Sequence, residues 1–305
     1  MVPLAQLVRA SDCGSEGQGF ETPKAPSEVQ RLCFVQVKTL FLLLNSNTMT
    51  DNDLKDLLDT EAARINSVDF IAEDPVQFPR RFSDQRDIEI AVLLSSTIAW
   101  GKRSMICRNA DRMLSLMDNQ PYRYVMDEGY EDLEDCNLHR TFFAKNFRHY
   151  LRGLRAIYQR YATLEDFAAD ELEGVEDHAA WHLAAAINRE LAAANGGETD
   201  CRCLPLGLDK SALKRFNMAL RWLVRDDGIV DMGVWKAIKP SQLYIPLDVH
   251  VGNISRQLGL LERKANDRAA VDELTDRLRK FNPEDPTLYD FALFGIGVSG
   301  RGGEL

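Results

Sequence analysis

The chain has no excess of positive charge. Its 305 residues include 37 Lys and Arg against 47 Asp and Glu, a formal net charge of −10. Proteins that coat phosphate backbones carry the opposite sign, so any role on nucleic acid must rest on a local basic surface. Long apolar runs are missing too. The best candidate, residues 32–44, is broken by Gln36 and Lys38 and falls short of the roughly 20 apolar residues that span a bilayer. It also stands far from Met1 for a secretory signal and has no small-residue cleavage site. Only 11 prolines and 19 glycines are present, which argues against low-complexity linkers, and no repeat of solenoid period is visible. The six cysteines, at 13, 33, 107, 136, 201 and 203, lack the spacing of a zinc or iron–sulfur site. They read as reduced thiols of a cytoplasmic protein. Phosphate-cradling loops, serine elbows and dinucleotide fingerprints are absent. His178 and His182 stand one helical turn apart without the glutamate of an HExxH pair. No metal, cofactor or membrane partner is expected.

What is present divides in two. Residues 1–26 show no sustained period and are rich in glycine, serine and polar residues. The string LAQLVRASDCGS resembles the peptide made when a bacterial tRNA gene is translated on its opposite strand. That resemblance implies that residues 1–48 are a mistranslated or disordered leader and that Met49 is the initiator. From Met49 to Leu305 the apolar spacing is helical. Leu54, Leu57, Leu58, Ala62 and Ile65 share a face, and residues 73–81 form a proline-bearing loop. Residues 88–100, almost wholly apolar, predict a buried helix capped by Gly101. Further helices are expected at 103–117, 141–161, 164–172, 178–194, 211–225, 249–258 and 269–280, with a short one near 234–238. Strand-like alternation is nearly absent, so the fold class is all-α.

Two segments can carry chemistry. Asp248 precedes an amphipathic helix whose buried side is Val251, Ile254 and Leu258. A carboxylate there can simply cap the free N–H groups at the positive end of the helix dipole. Upstream, Leu213, Phe216, Leu220, Leu223 and Val224 form an apolar stripe, and Lys214, Arg221 and Arg225 fall on another face. Such a face is usually a solvated charge stripe. It can also hold phosphate, or present an amine whose pKa desolvation and neighbouring cations, Arg215 and Arg221, would lower.

The string Pro246-Leu247-Asp248-Val249-His250-Val251, followed by Arg256, Leu258 and Gly259, resembles the catalytic-aspartate block of helix-hairpin-helix DNA glycosylases. The resemblance implies a two-lobed helical fold in which Asp248 stabilises positive charge on a sugar as its base leaves. Lys214 is similar in position to the Schiff-base lysine of one archaeal branch. Lys210 is its rival, because Leu204–Ala212 resembles the hairpin of another branch, with Leu206 and Leu208 at the glycine positions. Ala91–Ile98 resembles a segment that approaches opened DNA. Ser96, Arg215, Arg221, Arg225 and His250 are therefore the expected nucleic-acid contacts, although Ser96 and Thr97 can equally serve close helix packing. Trp100, Trp222 and Tyr244 are candidate stacking residues, for which core packing is the commoner use. The strings LRWLVR and IPLDVHV resemble most specifically an uncharacterised bacterial family, DUF2400, which has a distant likeness to the glycosylases.

Two functions are carried forward. One is a base-excision glycosylase or glycosylase/lyase acting on DNA, with an oxidised purine as the implied lesion. The other is a non-catalytic nucleic-acid or protein-binding module that retains the fold.

Overall fold

The structure is a computed structural model that describes residues 50–299. The leader and the start at Met49 lie outside the described residues. No helix in that range is long and apolar enough to cross a membrane. The α-helices are α1 (Asp51–Ile65), α2 (Val68–Glu73), α3 (Gln85–Thr97), α4 (Arg103–Leu116), α5 (Pro121–Met126), α6 (Ala144–Tyr158), α7 (Leu164–Glu171), α8 (Ala179–Ala194), α9 (Lys214–Val224), α10 (Val249–Gln257), α11 (Arg268–Arg279) and α12 (Tyr289–Ser299). The loop expected at 73–81 holds two 3-10 turns, Pro75–Gln77 and Pro79–Arg81. A small antiparallel pair, β1 (Asn137–His139) with β2 (Phe142–Phe143), is the only strand structure among the described residues, whose other elements are helical.

Local chemistry sets several starts. Thr50 Oγ1 accepts from Asp53 N at 3.2 Å while Asp53 Oδ2 accepts from Thr50 N at 2.9 Å, a reciprocal cap that satisfies otherwise orphaned donors. Thr163 and Asp166 repeat the device at α7. Buried apolar side chains from Leu54 to Ile296 form one connected core. Helices α6 and α8 approach so closely that a Cβ on Gly153 would lie 2.9 Å from the Leu191 Cα and closer still to its side chain. Backbone cannot yield cheaply there, which explains a glycine in mid-helix despite its propensity cost.

Three expected elements differ. The helix expected at 88–100 runs from Gln85 to Thr97, so Gly101 is not its cap. The Thr97 carbonyl is claimed by the Arg215 guanidinium and the Trp100 carbonyl by His139 Nε2 at 2.9 Å. Those oxygens are satisfied from outside the helix, and the chain turns away. The helix expected at 141–161 yields its first residues to the hairpin. No helix forms at 234–238, because its donors serve other elements: Trp235 N bonds Leu223 O at 2.8 Å, and Ala237 N bonds Glu165 Oε1 at 2.9 Å.

The Trp235 indole N–H also donates, at 2.8 Å, to Glu89, a fully buried acid. Tyr158 Oη and the first amides of α7, Leu164 N and Glu165 N, donate to the same carboxylate. Burial nonetheless pushes the Glu89 carboxyl above its ordinary range. At the other side of the core, α1 packs along α12, and the Tyr289 hydroxyl donates to Asp59 Oδ1 at 2.8 Å across 230 residues of sequence.

Candidate active site

Helix α9 begins from an uncomfortable residue. Leu213 has φ +45°, in the left-handed region that bulky side chains avoid, and it is buried. The next residue, Lys214, is the first of the helix, so its ammonium stands at the positive end of the helix dipole, an arrangement stability alone would not select. Lys214 is half-buried, and its Nζ lies 3.5 Å from Met218 Sδ. Among the described residues it forms no ion pair within 4.0 Å.

Asp248 caps α10 in the way the spacing suggests. Its Oδ1 accepts from His250 N at 2.8 Å and Val251 N at 3.0 Å. Both bonds fall on one oxygen, which leaves Oδ2 for other work. Asn266 Nδ2 donates to the Asp248 carbonyl at 3.1 Å, and Arg256 holds the Asn266 side-chain oxygen at 2.6 Å. The carboxylate is therefore fixed both by its own cap and by a neighbouring loop.

Lys214 and Asp248 line the same cleft, about 700 Å³ in volume, a size typical of small-ligand sites. Arg215, Arg221 and His250 line it with them, as do Asp74, Arg103 and Asp290. Lys210 is exposed and does not line the cleft. Of the stacking candidates, Trp100 lines the cleft half-buried, with the Arg215 guanidinium 4.9 Å from its ring centre. Trp222 borders it but is wholly buried, and Tyr244 is buried against His178, 5.3 Å between ring centres.

Three of the expected DNA contacts, Arg221, Arg225 and Ser96, are buried. Arg221 and Arg225 are each only 3% exposed. Arg221 pairs with Asp290 and, at 3.3 Å, with Asp231; Arg225 pairs with Asp231 at 2.5 Å, Asp227 at 3.0 Å and Asp285 at 2.9 Å. Burial opposes the charge on Arg225, but Asp231 and Asp285 raise its pKa further above the ordinary guanidinium range. These two arginines form a buried ion network, already paired with carboxylates, and Lys214 is the part of that face left outside it. Ser96 is buried as well, and its hydroxyl donates to Leu93 O at 3.1 Å, within its own helix. Arg215 remains half-buried, and His250 is exposed beside the cap.

Asp290, Asp74, Arg103 and Asn266 were not singled out from sequence. Asp290 carried a signal: it is the one acid in the apolar run Tyr289–Ile296, where a charge demands a partner. Burial pushes its carboxyl up to about 6, against the pull of Arg221 and Lys214, with Asp248 and Asp231 adding to the rise. Burial likewise raises Asp74, against Val76 N, Arg103, Arg221 and Lys214.

A pH dependence follows for Asp290. Its folded-state pKa lies above the ordinary 3.8, so the folded state binds the proton more tightly. The resulting stability is whole below about pH 4 and is lost as pH rises through about 6. The stability of wild type relative to Asp290→Asn is expected to fall across that window. Urea denaturation of both proteins from about pH 4 to 7 checks this; a pH-independent difference would refute it.

The cleft thus joins a lysine without an ion pair among the described residues, a fixed carboxylate and a titratable buried acid. Neither the curated proteins nor the solved structures searched contain a match to this chain. A family model described as protein of unknown function matches residues 74–299. The match covers most of the chain and every polar cleft residue described above, and the chain belongs to that family, DUF2400.

Proposed function

We propose that the protein is a base-excision DNA glycosylase with lyase capacity, built on a two-lobed helix-hairpin-helix type of core. The observation that carries this reading is that Lys214 and Asp248 line one cleft although breaks at Pro240 and Pro246 separate their helices. A damaged base, with an oxidised purine first among the candidates, would be turned out of the duplex into the cleft. The Lys214 amine would add to C1′ as the C1′–N bond breaks, its electron pair leaving with the base. The proton shed by the attacking amine ends on that base. Asp248, held by its cap, faces the positive charge developing on the sugar. The sugar ring then opens: the nitrogen lone pair forms the C1′=N bond of a Schiff base as the C1′–O4′ bond breaks and O4′ takes up a proton, and loss of a C2′ proton lets the 3′ phosphate leave with the C3′–O electron pair.

Borohydride reduction across a panel of lesion-bearing duplexes tests the reading. A covalent protein–DNA adduct is expected with at least one lesion, and Lys214→Gln is expected to abolish it. Absence of an adduct with every lesion, or an adduct undiminished in Lys214→Gln, sinks the proposal. The second reading, a non-catalytic binding module, draws support from the carboxylates that neutralise Arg221 and Arg225 and from the acidic net charge. It expects duplex or protein binding without any adduct.

A further inference from the structure

A second cavity, about 250 Å³, adjoins the cleft and shares Lys214 and Arg215 with it. Leu204, Pro205, Leu213 and Phe216 supply apolar wall. The polar groups are few and oddly left. Tyr150 is fully buried, yet its hydroxyl makes no hydrogen bond of acceptable geometry among the described residues. Thr97, its polar neighbour, directs its own hydroxyl to the Cys203 carbonyl at 3.5 Å. Burial raises the Tyr150 phenol well above its ordinary range, so it stays a donor.

Arg215 is the second oddity. One guanidinium N–H goes to the Thr97 carbonyl, and the central carbon lies 4.9 Å from the Trp100 ring centre, but no carboxylate pairs with it among the described residues. Neighbouring Arg221 and Arg225 are saturated with acids. A cation and a phenol thus border one small cavity with donor capacity unspent. Unmade bonds of this kind are costly, and an acceptor-bearing ligand would complete them. The volume is ample for one heterocyclic ring system.

We infer that this cavity is the base-binding pocket, and that its ligand is a single heterocycle bearing an oxo group that accepts from Tyr150 and Arg215. The inference rests on the glycosylase reading above, and it narrows the substrate class. When the C1′–N bond breaks, its electron pair spreads through the ring onto the oxo oxygen. Donors already in place meet that charge as it forms. Bases of the uracil or hypoxanthine kind fit; adenine, with no oxo group, does not.

Free uracil, hypoxanthine and adenine, titrated into the full protein and followed by tryptophan fluorescence and NMR, test the pocket without requiring catalysis. At least one of the oxo bases is expected to bind, with adenine at least about tenfold weaker, the worth of one directed hydrogen bond. Tyr150→Phe keeps the ring, removes the unpartnered hydroxyl and is expected to leave the fold intact. It should weaken oxo-base binding by about tenfold, and Arg215→Met should weaken it further. Failure of both oxo bases to bind, or Tyr150→Phe binding as tightly as wild type, overturns the inference. The two proposals separate cleanly. A borohydride adduct without base binding would remove the pocket and leave the enzyme. Tyr150-dependent base binding without an adduct would keep the pocket and remove Lys214 as nucleophile.

Discussion

Asp248→Asn is expected to slow formation of the borohydride-trapped adduct roughly a hundred- to a thousand-fold while leaving the fold unchanged, the scale of losing one preorganised charge-stabilising group. The substitution separates two roles that one side chain performs. As a helix cap, asparagine is about as good as aspartate, because its carbonyl oxygen can take over the bonds from His250 N and Val251 N. The Asn266 brace acts on the backbone carbonyl and is untouched. Only the negative charge facing the cleft disappears. If Asp248 is a cap alone, Asp248→Asn keeps both stability and adduct yield, and Asp248→Ala loses about 1 kcal/mol through the cap. Single-turnover trapping beside urea denaturation tells the cases apart. An Asn variant with full adduct yield would end the catalytic assignment of this residue.

Arg225→Met should be the most damaging change to stability, costing about 3–5 kcal/mol. Arg225 lies among Asp227, Asp231 and Asp285 at a point where neither it nor Asp231 reaches water. Taking away the cation leaves Asp231 facing Arg221 alone, and Asp285 loses both its bonds to the arginine Nε. Arg225→Lys should recover little, since an ammonium cannot reproduce a fork that serves three carboxylates from two nitrogens. Denaturant unfolding measures the loss. A cost below about 1 kcal/mol would mean that the network behaves like an exposed pair.

How much of this was legible in the sequence varied with the range of the interaction. Helix α10 and its cap were readable because Asp248, Val251 and Leu258 lie within three turns, and local spacing reports local geometry. The α9 stripe misled for the opposite reason. The intervals among Lys214, Arg221 and Arg225 show that they share a face, but not what covers it. For Arg221 and Arg225 the cover comes partly from Asp227 and Asp231 in the loop that follows and partly from Asp285 and Asp290, more than fifty residues downstream. The end of α3 was misplaced because Arg215, 118 residues away, takes the Thr97 carbonyl. Ser96 looked like a DNA contact because Ala91–Ile98 resembles a segment that approaches opened DNA; being small, it turns inward to its own backbone. Asp290 could have been found, since an acid stranded among Tyr289, Phe291, Leu293 and Phe294 must have a buried reason to be there.

The pairing of α1 with α12 bears on when the cleft can exist. Asp290 belongs to α12, and that helix is steadied by α1 through contacts such as Tyr289 to Asp59. Contacts joined across so long a stretch of chain close slowly and late. During refolding, helical signal should therefore return well before the cleft is competent to bind. Helix α1 also lies outside the stretch 74–299 that the family model covers. A chain trimmed to those bounds would retain Lys214, Asp248 and Asp290 in its sequence, yet lack the helix that steadies the third of them.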